Sequence, residues 1–277
     1  MSIRIHQIVT AEAEAPLATS LLNEGIGGHP GSEPLVPFGY RPDIMRSDGS
    51  VVAGTMGPMP AWLIEGSDKV VLVDTGVGDI DEVGRIFRSY GSNWALTRSE
   101  DQGLELGLRR HGLTPHDVDV VILTHLHWDH VGNNELFDRA RFIVQRSEIV
   151  QALVPPRFGM FYYQQYRHKM TAVLDRVHLV DGDAGVSEGV SVLGIGGHTP
   201  GCQAVLVETD IGRVCLTSDI MYNYRNVETD WPIGSFWDLP ALMRGYARLR
   251  QEADILVPNH DWQIRQYYPS GTIGEPG

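Results

Sequence analysis

The chain has 277 residues, of which 42% are hydrophobic and 21% charged, a composition typical of a soluble globular protein. Its 35 acidic and 22 basic side chains give a formal net charge of −13, which repels phosphate backbones and argues against nucleic acid as a partner. Since no apolar run is long enough to cross a bilayer and the N-terminus turns polar too early for a signal peptide, we expect a cytoplasmic protein with no membrane partner.

The chain contains no internal repeat, low-complexity tract or linker rich in glycine and serine, so a single domain over residues 1–277 is expected. The segment 14–59 is crowded with Gly and Pro and lacks a sustained hydrophobic period, which predicts a long irregular excursion near the active site. Its large apolar side chains would suit a pocket wall, core packing or a dimer interface, and the last of these leaves a homodimer open. They are Phe38, Tyr40, Met56 and Met59.

After this segment, two β-rich runs over 61–66 and 69–76 predict a hairpin. Helical patterns follow over 79–90 and 102–111. The run 118–123 is almost continuously apolar, as expected for a strand that is covered on both faces. This strand leads directly into a cluster of histidines.

The second half of the chain continues the alternation of strands and helices. Apolar runs such as RFIVQ, SVLG, QAVLV, RVCL and DILV predict further strands, and a helix is predicted over 239–252. Several of these strands end in His or Asp. The pattern predicts an α/β protein with a four-layer αββα sandwich, in which functional residues emerge from strand ends along one edge.

The two cysteines, Cys202 and Cys215, flank a predicted hairpin that turns near residues 209–212. In that register Cys215 faces a residue near Val205 and not Cys202, so no disulfide is expected. Free thiols agree with a reducing compartment, and we interpret both cysteines as small apolar core residues.

The strongest motif is the sequence HLHWDH, which holds His125, His127, Asp129 and His130. Residues two apart in an extended chain project to the same side, so His125 and His127 can approach one metal ion. If the chain turns just beyond them, Asp129 and His130 can face a second ion. Imidazole and carboxylate are ligands that suit zinc, and dinuclear hydrolytic sites place their ions about 3.5 to 4 Å apart.

Three more candidate ligands each follow a hydrophobic run, namely His198, Asp219 and His260. Together with the first cluster they supply enough ligands for two Zn²⁺ per chain. The other histidines have no neighbours at ligand spacing and are interpreted as surface or structural residues. They are His6, His29, His111, His116, His168 and His178.

The motifs VDTG, HLHWDH, GHTPG, SD and NHD follow one another in the order found in the metallo-β-lactamase superfamily, which the chain resembles from residue 61 to residue 262. The resemblance implies the metallo-β-lactamase fold. It implies a first zinc ion held by His125, His127 and His198. It implies a second zinc ion held by Asp129, His130 and His260. It also implies that Asp219 bridges the two ions and that Asp74 supports the metal loop without binding metal.

Tyr222 lies three residues after Asp219, and this spacing resembles N-acyl homoserine lactonases and related lactonases, whose tyrosine donates to the substrate carbonyl oxygen. An amphipathic packing residue is the alternative interpretation of Tyr222. The resemblance implies a zinc-dependent hydrolase that opens the lactone ring of a small-molecule substrate by attack of a hydroxide between the metals. Asp129 and Tyr222 are the expected catalytic residues, with Asp129 passing a proton to the leaving oxygen.

Other families with related motifs provide alternatives. A thioesterase of glyoxalase II type shares all of the candidate ligands, although it usually adds a basic helical region after the position of His260. A mononuclear iron dioxygenase would bind one iron and leave Asp129 unbound. The commonest zinc β-lactamases carry cysteine where this chain has Asp219, and flavo-diiron proteins carry glutamate where it has His127, so both are disfavoured.

Overall fold

The computed structural model describes residues 2–14, 43–45, 51–53, 57–89, 95–155, 163 and 166–275. The strands of this part of the chain are β1 (Arg4–Glu14), β2 (Asp43–Met45), β3 (Val51–Ala53), β4 (Pro58–Glu65), β5 (Val71–Val73), β6 (Ala95–Thr97), β7 (Val120–Ile122), β8 (Arg141–Gln145), β9 (Val177–Val180), β10 (Ala184–Ser187), β11 (Val190–Gly194), β12 (Gln203–Thr209), β13 (Gly212–Leu216), β14 (Ile255–Val257) and β15 (Thr272–Ile273). The α-helices are α1 (Ile80–Ser89), α2 (Leu104–Arg110), α3 (Arg146–Leu153), α4 (Arg167–Thr171), α5 (Tyr224–Thr229), α6 (Leu239–Glu252) and α7 (Ile264–Tyr267).

Among the described residues, two mixed sheets organise the fold. The larger has the order β15-β1-β4-β5-β7-β8-β9, with β6 also paired to β1, and the smaller has the order β10-β11-β12-β13-β14. Strands β5, β7, β8 and β9 run parallel, as do β13 and β14. Because the carboxyl ends of parallel neighbours lie at one edge, the loops that follow β5, β7, β13 and β14 can meet there.

The sheets pack face to face through a layer of β-branched side chains. Val71 and Val120 of the larger sheet lie in one buried cluster with Val205 and Val214 of the smaller one. Strands β5 and β7 have only buried residues, because the other face of the larger sheet is covered too. The four-layer αββα sandwich expected from the sequence is confirmed.

Helices cover the outer face of each sheet. Leu108 of α2 is fully buried in the cluster that also contains Leu63 and Val121 of the larger sheet. Leu242 and Tyr246 of α6 are buried in the cluster on the outer face of the smaller sheet. The predicted helix 239–252 is confirmed. It begins at Leu239 because the carboxylate of Asp238 caps its N-terminus by accepting a hydrogen bond from the backbone N–H of Ala241 at 2.8 Å.

The irregular excursion predicted over 14–59 needs correction at its end. Strand β4 begins at Pro58, and before it β2 and β3 form a short antiparallel pair. Two prolines suggested a loop, but Pro58 and Pro60 precede the part of β4 that pairs with β5, so their missing N–H groups remove no bond to β5. Met59 is buried in the core. Phe38, Tyr40 and Met56 lie outside the described residues.

The hairpin of β12 and β13 turns where the sequence predicted. It places Cys215 opposite Leu206, one position from the expected Val205, and Val205 pairs with Leu216. Both Cys202 and Cys215 are buried free thiols, which confirms the expectation that they form no disulfide.

None of the helices in the described part of the chain combines the length and the apolar composition that crossing a bilayer requires.

Candidate metal centre

The loops that follow five strands of the two sheets meet at one edge of the sandwich. Asp74 follows β5, the HLHWDH loop follows β7, and His198 follows β11. Asp219 follows β13, and His260 follows β14. The structure therefore brings together all of the ligands that the sequence predicted, in two groups that could each hold a metal ion.

The first group consists of His125, His127, His198 and Asp219, all buried. The Nε2 atom of His198 lies 3.1 Å from Nδ1 of His127. The Oδ2 atom of Asp219 lies 3.7 Å from Nε2 of His125 and 3.6 Å from Nε2 of His198. Spacings of this size suit side chains that share one cation.

The second group consists of Asp129, His130, His260 and again Asp219. Here the other carboxylate oxygen of Asp219, Oδ1, lies 3.2 Å from Nε2 of His130 and 2.9 Å from Nε2 of His260. The Oδ2 atom of Asp129 lies 3.3 Å from Nε2 of His130. Each oxygen of Asp219 thus faces one group, which is the geometry of a bridging carboxylate.

The protonation states differ between the two groups. Burial lowers the pKa of His125, His127 and His198, so these imidazoles favour the neutral form that metal ligands need. Burial acts in the same direction on His130 and His260, but nearby carboxylates outweigh it and raise their pKa, so a cation would replace a proton there. Within the described residues, Nε2 of His125 is buried and makes no hydrogen bond. Buried nitrogens without partners are costly unless something binds them, so a metal ion fits this site.

Asp219 remains charged in the centre although it is buried. Burial on its own would raise the pKa of its carboxyl, but the imidazoles of His260, His130 and His125 hold that pKa well below its usual range. The amide of Asn259 also donates to Oδ1 of Asp219 at 3.0 Å, and Asn259 in turn accepts a hydrogen bond from the indole of Trp62 at 3.1 Å. The bridging carboxylate is therefore fixed from outside the centre.

Asp74 supports the metal loop, as its family role implied. Its Oδ1 accepts a hydrogen bond from the backbone N–H of Thr124 at 2.8 Å, and its Oδ2 accepts from the Thr124 hydroxyl at 2.8 Å and from Nδ1 of His130 at 2.7 Å. The Ser218 hydroxyl donates to Thr124 at 2.7 Å. Asp74 and Ser218 both adopt positive φ, at 59° and 51°, an uncommon backbone conformation that tends to cluster at functional sites.

Two other histidines are oriented by backbone carbonyls. Nδ1 of His198 donates to the carbonyl of Ser235 at 2.7 Å, and Nδ1 of His260 donates to the carbonyl of Pro58 at 2.9 Å. Because a carbonyl can only accept, Nδ1 carries the hydrogen in both rings and Nε2 is directed at the centre. The loop before His198 also needs glycine, because a Cβ on Gly197 would lie 2.5 Å from the backbone of Leu242 in α6.

Glu148 is a functional candidate that the sequence analysis missed. It is fully buried, and its carboxylate accepts hydrogen bonds from the backbone N–H groups of Leu126 at 3.1 Å and Gly201 at 3.0 Å, and from the hydroxyl of Tyr163 at 3.1 Å. It therefore joins the HLHWDH loop to the loop of His198. The N-terminal turn of α3 gave no sequence signal for this role, because charged residues there are ordinarily exposed.

Tyr222 lies between the two groups of ligands. Its ring centroid is 5.8 Å from that of His198 and 5.3 Å from that of His260, and the residue is buried. Its backbone carbonyl accepts a hydrogen bond from the N–H of His260 at 2.7 Å, so the loop after Asp219 is tied to the loop after β14. The Tyr222 ring thus lies next to one histidine of each ligand group.

His6 and His111, which the sequence analysis interprets as surface or structural residues, lie close to each other and to Glu65. Neither histidine has a potential ligand at ligand spacing in the sequence. In the structure, however, His6, Glu65 and His111 form a third group of side chains that could hold a metal ion. The three residues are far apart in the chain and meet only because α2 packs on β1. No local pattern could show this.

The profile of the Metallo-beta-lactamase superfamily matches residues 54–260. The chain belongs to the metallo-β-lactamase superfamily. An N-acyl homoserine lactonase from a Bacillus species is 31% identical over 229 residues, which cover 77% of this chain and 88% of that protein.

Solved structures of this superfamily share the fold. One is an N-acyl homoserine lactone hydrolase with the product N-hexanoyl-L-homoserine bound at its catalytic metal centre. It has a TM-score of 0.72 and 23% identity, over 96% of this chain and 97% of that one. AidC, described as a dizinc quorum-quenching lactonase, has a TM-score of 0.58 and 18% identity, over 76% of this chain and 74% of that one. The family expected from the motifs is confirmed.

Proposed function

We propose that this protein is a zinc-dependent hydrolase that opens the ring of N-acyl homoserine lactones or similar cyclic esters. The observation that carries the proposal is the position of Tyr222, whose ring lies 5.3 Å from His260 of one ligand group and 5.8 Å from His198 of the other. The relative that is 31% identical is an N-acyl homoserine lactonase, which supports the same substrate class.

The proposed metal ligands follow the two groups of side chains. His125, His127 and His198 would hold the first zinc ion. Asp129, His130 and His260 would hold the second, and Asp219 would bridge the two. The donor set of imidazoles and carboxylates suits zinc, and the dizinc description of AidC supports two ions.

Zinc held by these residues would lower the pKa of bound water to about 7 and would polarise the carbonyl of the substrate. The side chains of this protein then have separate roles. Tyr222 donates its phenol hydrogen to the carbonyl oxygen, where negative charge develops during attack. The oxygen of the attacking water forms a bond to the carbonyl carbon and the ring C–O bond breaks. Asp129 takes the proton that this oxygen gives up and passes it to the leaving alkoxide. Asp219 and its partner Asn259 keep the centre rigid.

The proposal is tested by a hydrolysis screen of the protein as purified and after loading with zinc, near neutral pH, where lactones open slowly on their own. Acyl homoserine lactones, a glutathione thioester, a phosphodiester and a β-lactam are compared by kcat/KM, with metal content measured in parallel. We expect lactones to give the highest kcat/KM. Thioester turnover without lactone turnover would favour the glyoxalase II type, and one iron per chain would favour the dioxygenase.

Replacing Asp74 by asparagine is expected to weaken metal binding by about 10- to 100-fold. The carboxylate accepts from the Thr124 N–H at Oδ1 and from His130 at Oδ2, whereas an amide has one acceptor oxygen, so one of these two N–H groups would face an NH2 group. Zinc affinity is measured by competition with a chromogenic chelator. Asp181→Asn is the matched control, since Asp181 forms only an exposed ion pair with Arg146. Equal affinities of Asp74→Asn and the wild type would contradict the supporting role of Asp74.

A further inference from the structure

A third group of potential ligands lies at the opposite edge of the larger sheet from the metal centre. Glu65 is the last residue of β4, and β4 runs antiparallel to β5, so Glu65 lies near the start of β5 while Asp74 follows its end. Arg4 of β1 pairs with Glu65, and His6, two residues further along β1, projects to the same face. The carboxylate and the imidazole are therefore diagonal neighbours on the outer face of the sheet.

A close helix packing supplies the third member, His111. Helix α2 lies on β1 with Gly107 directly over Ile8, and a Cβ on residue 107 would lie 2.2 Å from the Ile8 side chain. Only glycine permits this approach. It brings His111, which directly follows α2, to a ring-centroid distance of 4.2 Å from His6.

The donor atoms have the spacing of a metal site. Oε2 of Glu65 lies 3.2 Å from Nε2 of His6 and 3.4 Å from Nδ1 of His111, and all three donor atoms lie within 4.8 Å of one another. Ligands of tetrahedral zinc with bonds of 2.0 to 2.2 Å are about 3.3 to 3.6 Å apart. Of the two distances measured to Glu65, the one to His111 falls within that range and the one to His6 falls just below it.

The environment of His6 also suits a ligand. Burial, together with His111 and Arg4, lowers the pKa of His6 to about 4, so its imidazole is neutral at pH 7. Its Nδ1 atom lies 3.0 Å from the hydroxyl of Thr272 in β15, while Nε2 faces Glu65. Metal-binding histidines characteristically use the second ring nitrogen for such a hydrogen bond.

We propose that His6, Glu65 and His111 form a separate binding site for a third divalent metal ion of the zinc type. Two imidazoles and one carboxylate are a donor set for borderline transition metals. The side chains of Glu65 and His111 are about one-third exposed, so the ion can enter from solvent and water can complete its coordination.

The third ion stabilises the fold and takes no part in the reaction. It joins β1, β4 and the end of α2, and through Thr272 it is linked to β15. An ion that binds only the folded chain raises its stability by mass action. The expected effect is therefore a rise in melting temperature with added zinc, without a change in the substrate preference of the enzyme.

The experiment compares metal content and melting temperature of the wild type, Glu65→Gln and His111→Gln. The proteins are equilibrated with buffered micromolar zinc, and bound metal is counted by mass spectrometry. We expect each variant to bind one zinc fewer per chain than the wild type, and to lose the part of the zinc-dependent rise in melting temperature that the third ion supplies. Both side chains are partly exposed, so these substitutions leave the core intact.

His116→Gln is the matched control. His116 also pairs with a carboxylate, Asp138 at 3.0 Å, but it belongs to no group of three ligands among the described residues. It should keep the wild-type zinc count. Equal numbers of bound zinc ions per chain in all four proteins would overturn the proposal, and the contacts of Glu65 with His6 and His111 would then be ion pairs without a metal. Because the count is a difference between variants, it stays informative even if the centre binds another metal or hydrolyses another substrate.

Discussion

Replacing Asp219 by alanine is expected to lower lactone hydrolysis by several orders of magnitude. Its two carboxylate oxygens face different ligand groups, at 2.9 Å from Nε2 of His260 and 3.6 Å from Nε2 of His198. Without this carboxylate, the first group contains only imidazoles and Asp129 is the one carboxylate left in the second group, so the charge of two cations would be poorly balanced. The kcat/KM for a lactone and the zinc content per chain measure the effect.

Asp210→Ala is the matched control for this prediction. Asp210 is exposed in the turn between β12 and β13, at the other end of the strand that leads to Asp219. It should retain full activity and metal content. Prolonged chelation of the wild type should reproduce the loss seen in Asp219→Ala, and added zinc should reverse it. Full activity in a protein shown to be free of metal would refute the proposed chemistry.

Replacing Tyr222 by phenylalanine is expected to lower kcat by about 10² to 10³, the usual loss when one oxyanion donor is removed. The variant keeps the buried ring beside His198 and His260 and removes only the hydroxyl. KM and zinc content should change little, because the hydroxyl is proposed to act on charge that develops in the transition state. Steady-state kinetics with a lactone substrate measure both constants.

Tyr224→Phe separates this effect from the loss of any buried phenol. Tyr224 is also buried and lies two residues away, but its ring packs against Tyr267, at 4.8 Å between centroids. This control should have wild-type kcat. If Tyr222→Phe behaved like the control, Tyr222 would be a packing residue and the lactonase proposal would lose its main structural support.

The sequence by itself determined the candidate metal ligands and the class of the fold. Ligands such as His198, Asp219 and His260 are recognisable because each lies within four residues of the end of a hydrophobic strand, and strand order places such ends at one edge. The helix 239–252 was predictable because Asp238 is a local N-cap and Pro240 lies in the first turn. These signals depend on residues that are close together in the chain, so they can be read from the sequence without knowledge of the packing.

Only the tertiary structure decided which distant side chains meet outside these motifs. Glu148 receives hydrogen bonds from two loops that are separate in the chain, and Asn259 links Trp62 to Asp219 across the two sheets. His6 and His111 met through the close packing of α2 on β1, which hydrophobic periodicity does not specify. Contacts of this kind depend on strand register and on the distance between a helix and the sheet, and both are set by side-chain packing over the whole core.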